Sequence, residues 1–68
     1  MKKYKITVTN GSGWRKEFES ASRNAKKHLI DNFGGQDGAR CTVRTNRGKV
    51  ICECRYSAEF GYYYTVTE

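Results

Sequence analysis

Few side chains in this chain could do covalent or acid–base chemistry. They are one histidine, His28, and three cysteines, Cys41, Cys52 and Cys54. A Cys–His nucleophile needs a thiol within hydrogen-bond reach of the imidazole, and a third group to hold the ring's tautomer. Strand alternation puts all three thiols on the predicted core face, where a thiol without an electropositive neighbour behaves as a small hydrophobe. His28, between Lys27 and Leu29, reads as a surface residue of a helix. The expectation is no catalytic residue and no enzyme.

The same four residues form the only metal candidate. Cys52-x-Cys54 puts two thiols on one side of a strand, with Cys41 across from them and His28 on the covering helix. A Cys3His zinc site needs all four ligands on one centre, with sulfur at about 2.3 Å. Same-face strand neighbours splay away from such a centre, and the usual C-x2-C knuckle is missing. No metal or cofactor is expected. An odd number of cysteines favours free thiols and a reducing cytoplasm over a disulfide framework.

Anion chemistry offers more. Gly35-Gln36-Asp37-Gly38 has the GxxG form that clamps nucleic-acid backbone in KH domains, but here a strand follows and Asp37 repels phosphate. It reads as a connector. Gly11-Ser12-Gly13 lacks the strand-to-helix context of a dinucleotide loop. The strongest signal is a basic sheet face of Arg40, Arg44 and Arg55, joined by Lys3 and Lys5 if the first strand lies in the same sheet. Tyr63 and Ile51 would supply flat apolar area among them. Arginine pairs bidentately with carboxylate or phosphate, and tyrosine stacks on a base or fills a protein pocket. In Phe60-Gly61-Tyr62-Tyr63-Tyr64, three consecutive tyrosines cannot share one strand face, so at least one is presented to a partner or to solvent.

Two hydrophobic periods define the elements that position these residues. Lys3–Thr9 alternates with Tyr4, Ile6 and Val8 inward, and Asn10–Gly13 turns it into a second strand with Trp14 and Phe18 inward. Ala21, Ala25, Leu29 and Phe33 then recur at i+4, giving a helix of about three to four turns opened by Ser20 or Ser22 and stopped at Gly34-Gly35. Residues 39–46, 49–56 and 61–67 form a meander. Its inward set is Cys41, Val43, Val50, Cys52, Cys54, Tyr62, Tyr64 and Val66. The fold class is α+β with the order ββαβββ, a twisted and largely antiparallel sheet with one helix on one face. Val43, Val50, Cys52 and Val66 should face Ala25, Leu29 and Phe33.

Sixty-eight residues permit a single domain, 1–68, with a marginal core. Thirteen Lys and Arg against seven Asp and Glu give +6, which implies an anionic partner. Residues 1–16 carry five of these cations and no acid. No apolar run is long enough to span a bilayer, and no signal-peptide core follows Met1-Lys2-Lys3, so a cytoplasmic protein without a membrane partner is expected.

The segment Phe18-Glu19-Ser20-Ala21-Ser22-Arg23-Asn24-Ala25-Lys26-Lys27, with the Gly48 and Gly61 turns downstream, resembles the layout of some small phage-encoded anti-CRISPR proteins. The resemblance implies a non-enzymatic inhibitor that binds a Cas effector complex in the bacterial cytoplasm and obstructs its target-DNA path. It carries no motif that transfers residue by residue, so Lys3, Lys5, Arg40, Arg44, Arg55 and Tyr63 are partner-binding candidates from the surface alone. The alternative is a domain that binds DNA or RNA directly through the same face.

Overall fold

The computed structural model describes residues 3–33 and 36–67, apart from the side chain of Thr67. The elements run β1 (Tyr4–Thr9), β2 (Arg15–Ser20), α1 (Ala25–Phe33), β3 (Arg40–Arg44), β4 (Val50–Ser57) and β5 (Gly61–Thr67). All strand pairs are antiparallel, in the order β2-β1-β3-β4-β5. The α+β class and the ββαβββ order are as expected. β2 and β3 both pair antiparallel with β1 and so run in the same direction. Their connection must cross the sheet, which takes a dozen or more residues, and α1 makes that crossing. It packs over β1, β3 and β4. Among the described residues no helix is long and apolar enough to cross a membrane.

The core between helix and sheet consists of Ile6, Val8, Ala25, Leu29, Ala39, Cys41, Val43, Ile51, Cys52 and Cys54, with Tyr4, Phe18, Phe33, Tyr56 and Tyr62 partly buried around it. This is the expected inward set with four corrections, the first being Tyr64, which lies opposite Cys54 on the helix face but is 47% exposed and outside the core. β3 and β4 slip register between Val43 and Arg44, so Val50 lies opposite Arg44 and is only half-buried. Ile51, expected on the solvent face, is drawn into the core at 4% exposure. A second slip between Glu53 and Cys54 puts Val66 opposite Glu53, on the face away from the helix, where it is 39% exposed. Each extra residue reverses the alternation beyond it.

The helix starts later than expected. Ser20 still belongs to β2, opposite Tyr4, and Ala21 is exposed outside the helix. The hydroxyls of Ser20 and Ser22 accept from the amides of Ser22 and Asn24, local bonds that hold the backbone out of a helix. Asn24 is the N-cap, its Oδ1 accepting from the Lys27 amide at 3.2 Å. Nine residues remain, about two and a half turns. The expected stop at Gly34-Gly35 lies outside the described residues. Trp14, expected inward, is half exposed and packs edge-on against Phe33 with ring centroids 5.2 Å apart.

Side-chain bonds tie the loops at one end of the sheet. Asn10 Oδ1 accepts from the amides of Ser12 and Trp14 in the β1–β2 turn. Asp37 Oδ1 accepts from the Ala58 amide at 2.9 Å, linking the α1–β3 connector to the β4–β5 turn. Gly38 has φ +85°, and a Cβ there would stand 3.2 Å from the Gly11 Cα. Only glycine fits both the angle and the approach. Asp37 and Gly38 of the GxxG string are thus committed to the scaffold.

Candidate binding face

The face away from α1 is built in three rows by the strand registers. One row runs Arg15, Thr9, Arg40, Arg55, Tyr63 across all five strands. The next runs Glu17, Thr7, Thr42, Glu53, Val66, and the third Glu19, Lys5, Arg44, Val50. The sequence candidates Lys5, Arg40, Arg44, Arg55 and Tyr63 therefore share one uncovered face. Lys3 precedes β1 and lies apart, lining a depression with Tyr4, Thr45, Asn46, Arg47 and Lys49 at the β3–β4 turn. Arg15 is the site residue that sequence reasoning left out. Its outward parity was readable, but its place beside Thr9 and Arg40 depends on the order of β2, β1 and β3.

Glu53 organises the middle of this face. Its carboxylate accepts from Arg55 Nε at 2.9 Å, from Thr65 Oγ1 at 2.5 Å and from Thr42 Oγ1 at 3.3 Å. Its side chain is 14% exposed and Thr42 is buried, so the centre of the face is more enclosed than an ordinary solvated sheet. Burial pushes the Glu53 carboxyl up. The hydrogen bonds from Thr65 and Arg55, with the charges of Arg55 and Arg40, outweigh it and hold the group below its ordinary value of 4.5. A carboxyl depressed on folding adds stability above its unfolded value and loses it as pH falls through the folded value. Glu53→Gln should therefore flatten the acid arm of the stability curve below about pH 4.5, measured by urea unfolding from neutral pH downward. An unchanged acid arm would show that the network contributes nothing.

The cations differ in availability. Arg55 is engaged by Glu53, and Arg15 Nη2 lies 3.1 Å from Glu17 Oε1 in an exposed pair. Arg44 Nη1 donates to Thr7 Oγ1 at 3.4 Å. Lys5 and Arg40 are exposed, with no carboxylate contact among the described residues. Arg15, Arg40 and Arg44 border a small hollow of about 140 Å³ floored by Thr7, Thr9 and Thr42. A larger one of about 300 Å³ opens between Arg40, Arg55, Tyr63, Asn10 and Gly38. Both suit an anionic or hydrogen-bonding group from a partner, with arginine forks at the rim. Tyr63 is presented at 39% exposure. Ile51, expected to add apolar area here, is in the core instead.

The residues first considered for chemistry lie on the other side of the sheet. Cys41 and Cys54 face each other across β3 and β4, Cys52 lies opposite Val43, and all three thiols are free and buried. Burial, with the neighbouring Cys54 and Cys52, pushes the Cys41 thiol up to about 12. Burial, with Cys52, also raises Cys54. Such thiols are held protonated and away from nucleophilic work. His28 corrects the surface assignment: it is 9% exposed, and its Nε2 lies 2.9 Å from the Ser22 carbonyl oxygen. A carbonyl only accepts, so Nε2 carries the proton, and the ring fastens the β2–α1 connector while packing edge-on against Phe18. Among the described residues no group of three or more His, Cys, Asp or Glu is placed to hold a metal ion.

The fold and this face define a small α+β domain with an uncovered, cation-bordered sheet surface. No family model, curated protein or solved structure matches the chain.

Proposed function

We infer that the chain is a non-enzymatic binding protein that docks its open sheet face on a protein surface built to receive nucleic acid. This is the role that the resemblance to anti-CRISPR inhibitors implies, with a Cas effector complex as the partner. The observation that carries the reading is the convergence of Lys5, Arg15, Arg40, Arg44 and Arg55 with exposed Tyr63 on one face. Glu17, Glu19 and Glu53 on the same face favour a protein partner over bare nucleic acid. A polyphosphate meets each carboxylate with repulsion, whereas a protein surface of both signs can answer both.

Direct binding of DNA or RNA is the second reading, supported by the same arginines and by Tyr63 as a stacking platform. The two separate by partner. The purified protein should co-purify with an effector complex and shift free nucleic acid weakly or not at all at near-physiological salt. Submicromolar binding to free DNA or RNA, with no association with an effector, would sink the first reading and establish the second.

A further inference from the structure

Two arginines stand directly opposite each other on the open face. Arg40 of β3 and Arg55 of β4 are Cα partners. The Tyr56 amide donates to the Ala39 carbonyl oxygen at 3.0 Å, so the next pair along, Arg40 and Arg55, is a non-hydrogen-bonded one. That is the closer kind, with Cα atoms about 4.5 Å apart and the side chains brought together. Like charges directly opposite destabilise a strand pair. Glu53 answers only part of this opposition: it contacts Arg55 Nε at 2.9 Å and meets Arg40 through charge alone. Among the described residues, one of the two guanidinium charges is left without a close counterion. Only the Nε–H of Arg55 is used by Glu53, which leaves its Nη donors and the whole fork of exposed Arg40. Both arginines border the hollow of about 300 Å³ that Thr9, Asn10, Gly38 and Tyr63 also line. None of the described residues around it is acidic. Its size is at the small end of ligand pockets, which run to about 300–1,000 Å³.

We propose that Arg40 and Arg55 together clamp one carboxylate, an Asp or Glu side chain of the partner protein. The clamp rests on the reading of the open face as a protein-docking surface and names the group that docks there. A single carboxylate supplies the missing negative charge. It also accepts from both guanidiniums at once, which turns the opposition of Arg40 and Arg55 into a bridge of charge-assisted bonds. Arg55 is positioned before the partner arrives. Its Nε edge is fixed by Glu53, which Thr42 and Thr65 hold in turn. A pre-oriented side chain loses less freedom on binding. Tyr63, opposite Arg55 on β5 and 39% exposed, offers the methylene stem of the incoming residue an aromatic wall. A phosphodiester strand fits less well. Its charges continue past the hollow, and the next row of the face, about 7 Å along the strands, holds Glu17 and Glu53. An isolated carboxylate ends where the arginine pair ends.

The probe is N-acetylglutamic acid α-amide, which carries one side-chain carboxylate, titrated into isotope-labelled protein by NMR near neutral pH and at constant ionic strength. The Nε–H resonances of Arg40 and Arg55 and the Tyr63 amide should shift together and saturate, with a dissociation constant of about 1–50 mM. The neutral N-acetylglutamine amide should give no saturable shift, and dimethyl phosphate should bind at least about threefold more weakly. Arg40→Gln should weaken the glutamate probe at least about tenfold. Lys27→Gln removes the same charge from an exposed position of α1 and should change it less than about twofold. Arg40 is exposed and its loss relieves the strand opposition, so the variant keeps its fold, which circular dichroism checks first. No saturable shift up to about 100 mM, equal shifts at every arginine, or dimethyl phosphate binding as tightly as the glutamate probe would each overturn the proposal. An effector that co-purifies undiminished with Arg40→Gln would also overturn the clamp and leave the docking reading standing. Saturable probe binding with no effector association would support the carboxylate site and remove the docking reading instead.

Discussion

Leu29→Ala is expected to cost about 2–5 kcal/mol and to leave much of the protein unfolded at room temperature. A domain of this length has a total stability of about 3–10 kcal/mol, at about 0.05–0.15 kcal/mol per residue, so one cavity can consume most of it. Leu29 has no exposed surface and is the one large aliphatic side chain that α1 buries; the helix's other buried residues are Ala25 and His28. The helix is short and its serine-rich entry is held outside it by side-chain bonds, so intrinsic propensity contributes little. Its attachment rests on this contact with β1, β3 and β4. Ile30→Ala, one residue on at 44% exposure, is the control and should cost well under half as much. Urea midpoints for the two variants measure the difference. Equal midpoints would mean that the helix is not held by the stripe assigned to it.

The same contrast shows what a single sequence can and cannot disclose. The alternation of Tyr4, Ile6 and Val8, the i+4 run of Ala25, Leu29 and Phe33, and the parity of Cys41 with Cys54 are local patterns, and they gave the elements and most of the core. The two register slips are not local. Nothing near Val50 or Val66 signals that a neighbouring strand will take up an extra residue, yet each slip moved a valine off the helix face and one moved Ile51 on to it. The open face was legible as a set of arginines. Arg15 and the tie from Glu53 to Thr42, Arg55 and Thr65 required the strand order, which alternation cannot supply. His28 was missed for a related reason: the connector that covers it begins where periodicity alone would continue the helix.

Replacing Lys5, Arg40 and Arg44 together by Glu is expected to weaken partner binding at least about a hundredfold, on the order of 3 kcal/mol, with little change in the folded fraction. These are the open-face cations that make no close ion pair among the described residues, Arg40 acting on Glu53 only through its charge. Arg15 and Arg55 are held by Glu17 and Glu53. Lys5 and Arg40 are exposed, and the bond from Arg44 to Thr7 is long, so reversal disturbs the partner's field more than the fold. The salt dependence of the wild type then tells which partner is being read. If the face grips bare nucleic acid, three available cations give a fall of about 2–3 in log affinity per unit of log salt, at about 0.7–0.9 per phosphate neutralised. Glu53→Gln would release Arg55 and steepen that slope by about one more phosphate. If the face grips a protein that carries both signs, Glu53→Gln should weaken binding instead, because Arg55 loses the carboxylate that orients it. The opposite responses of one conservative variant separate the two partners. Binding unaltered by the triple reversal would take the contact away from this face altogether and move it to α1 or to the tyrosine edge of β5.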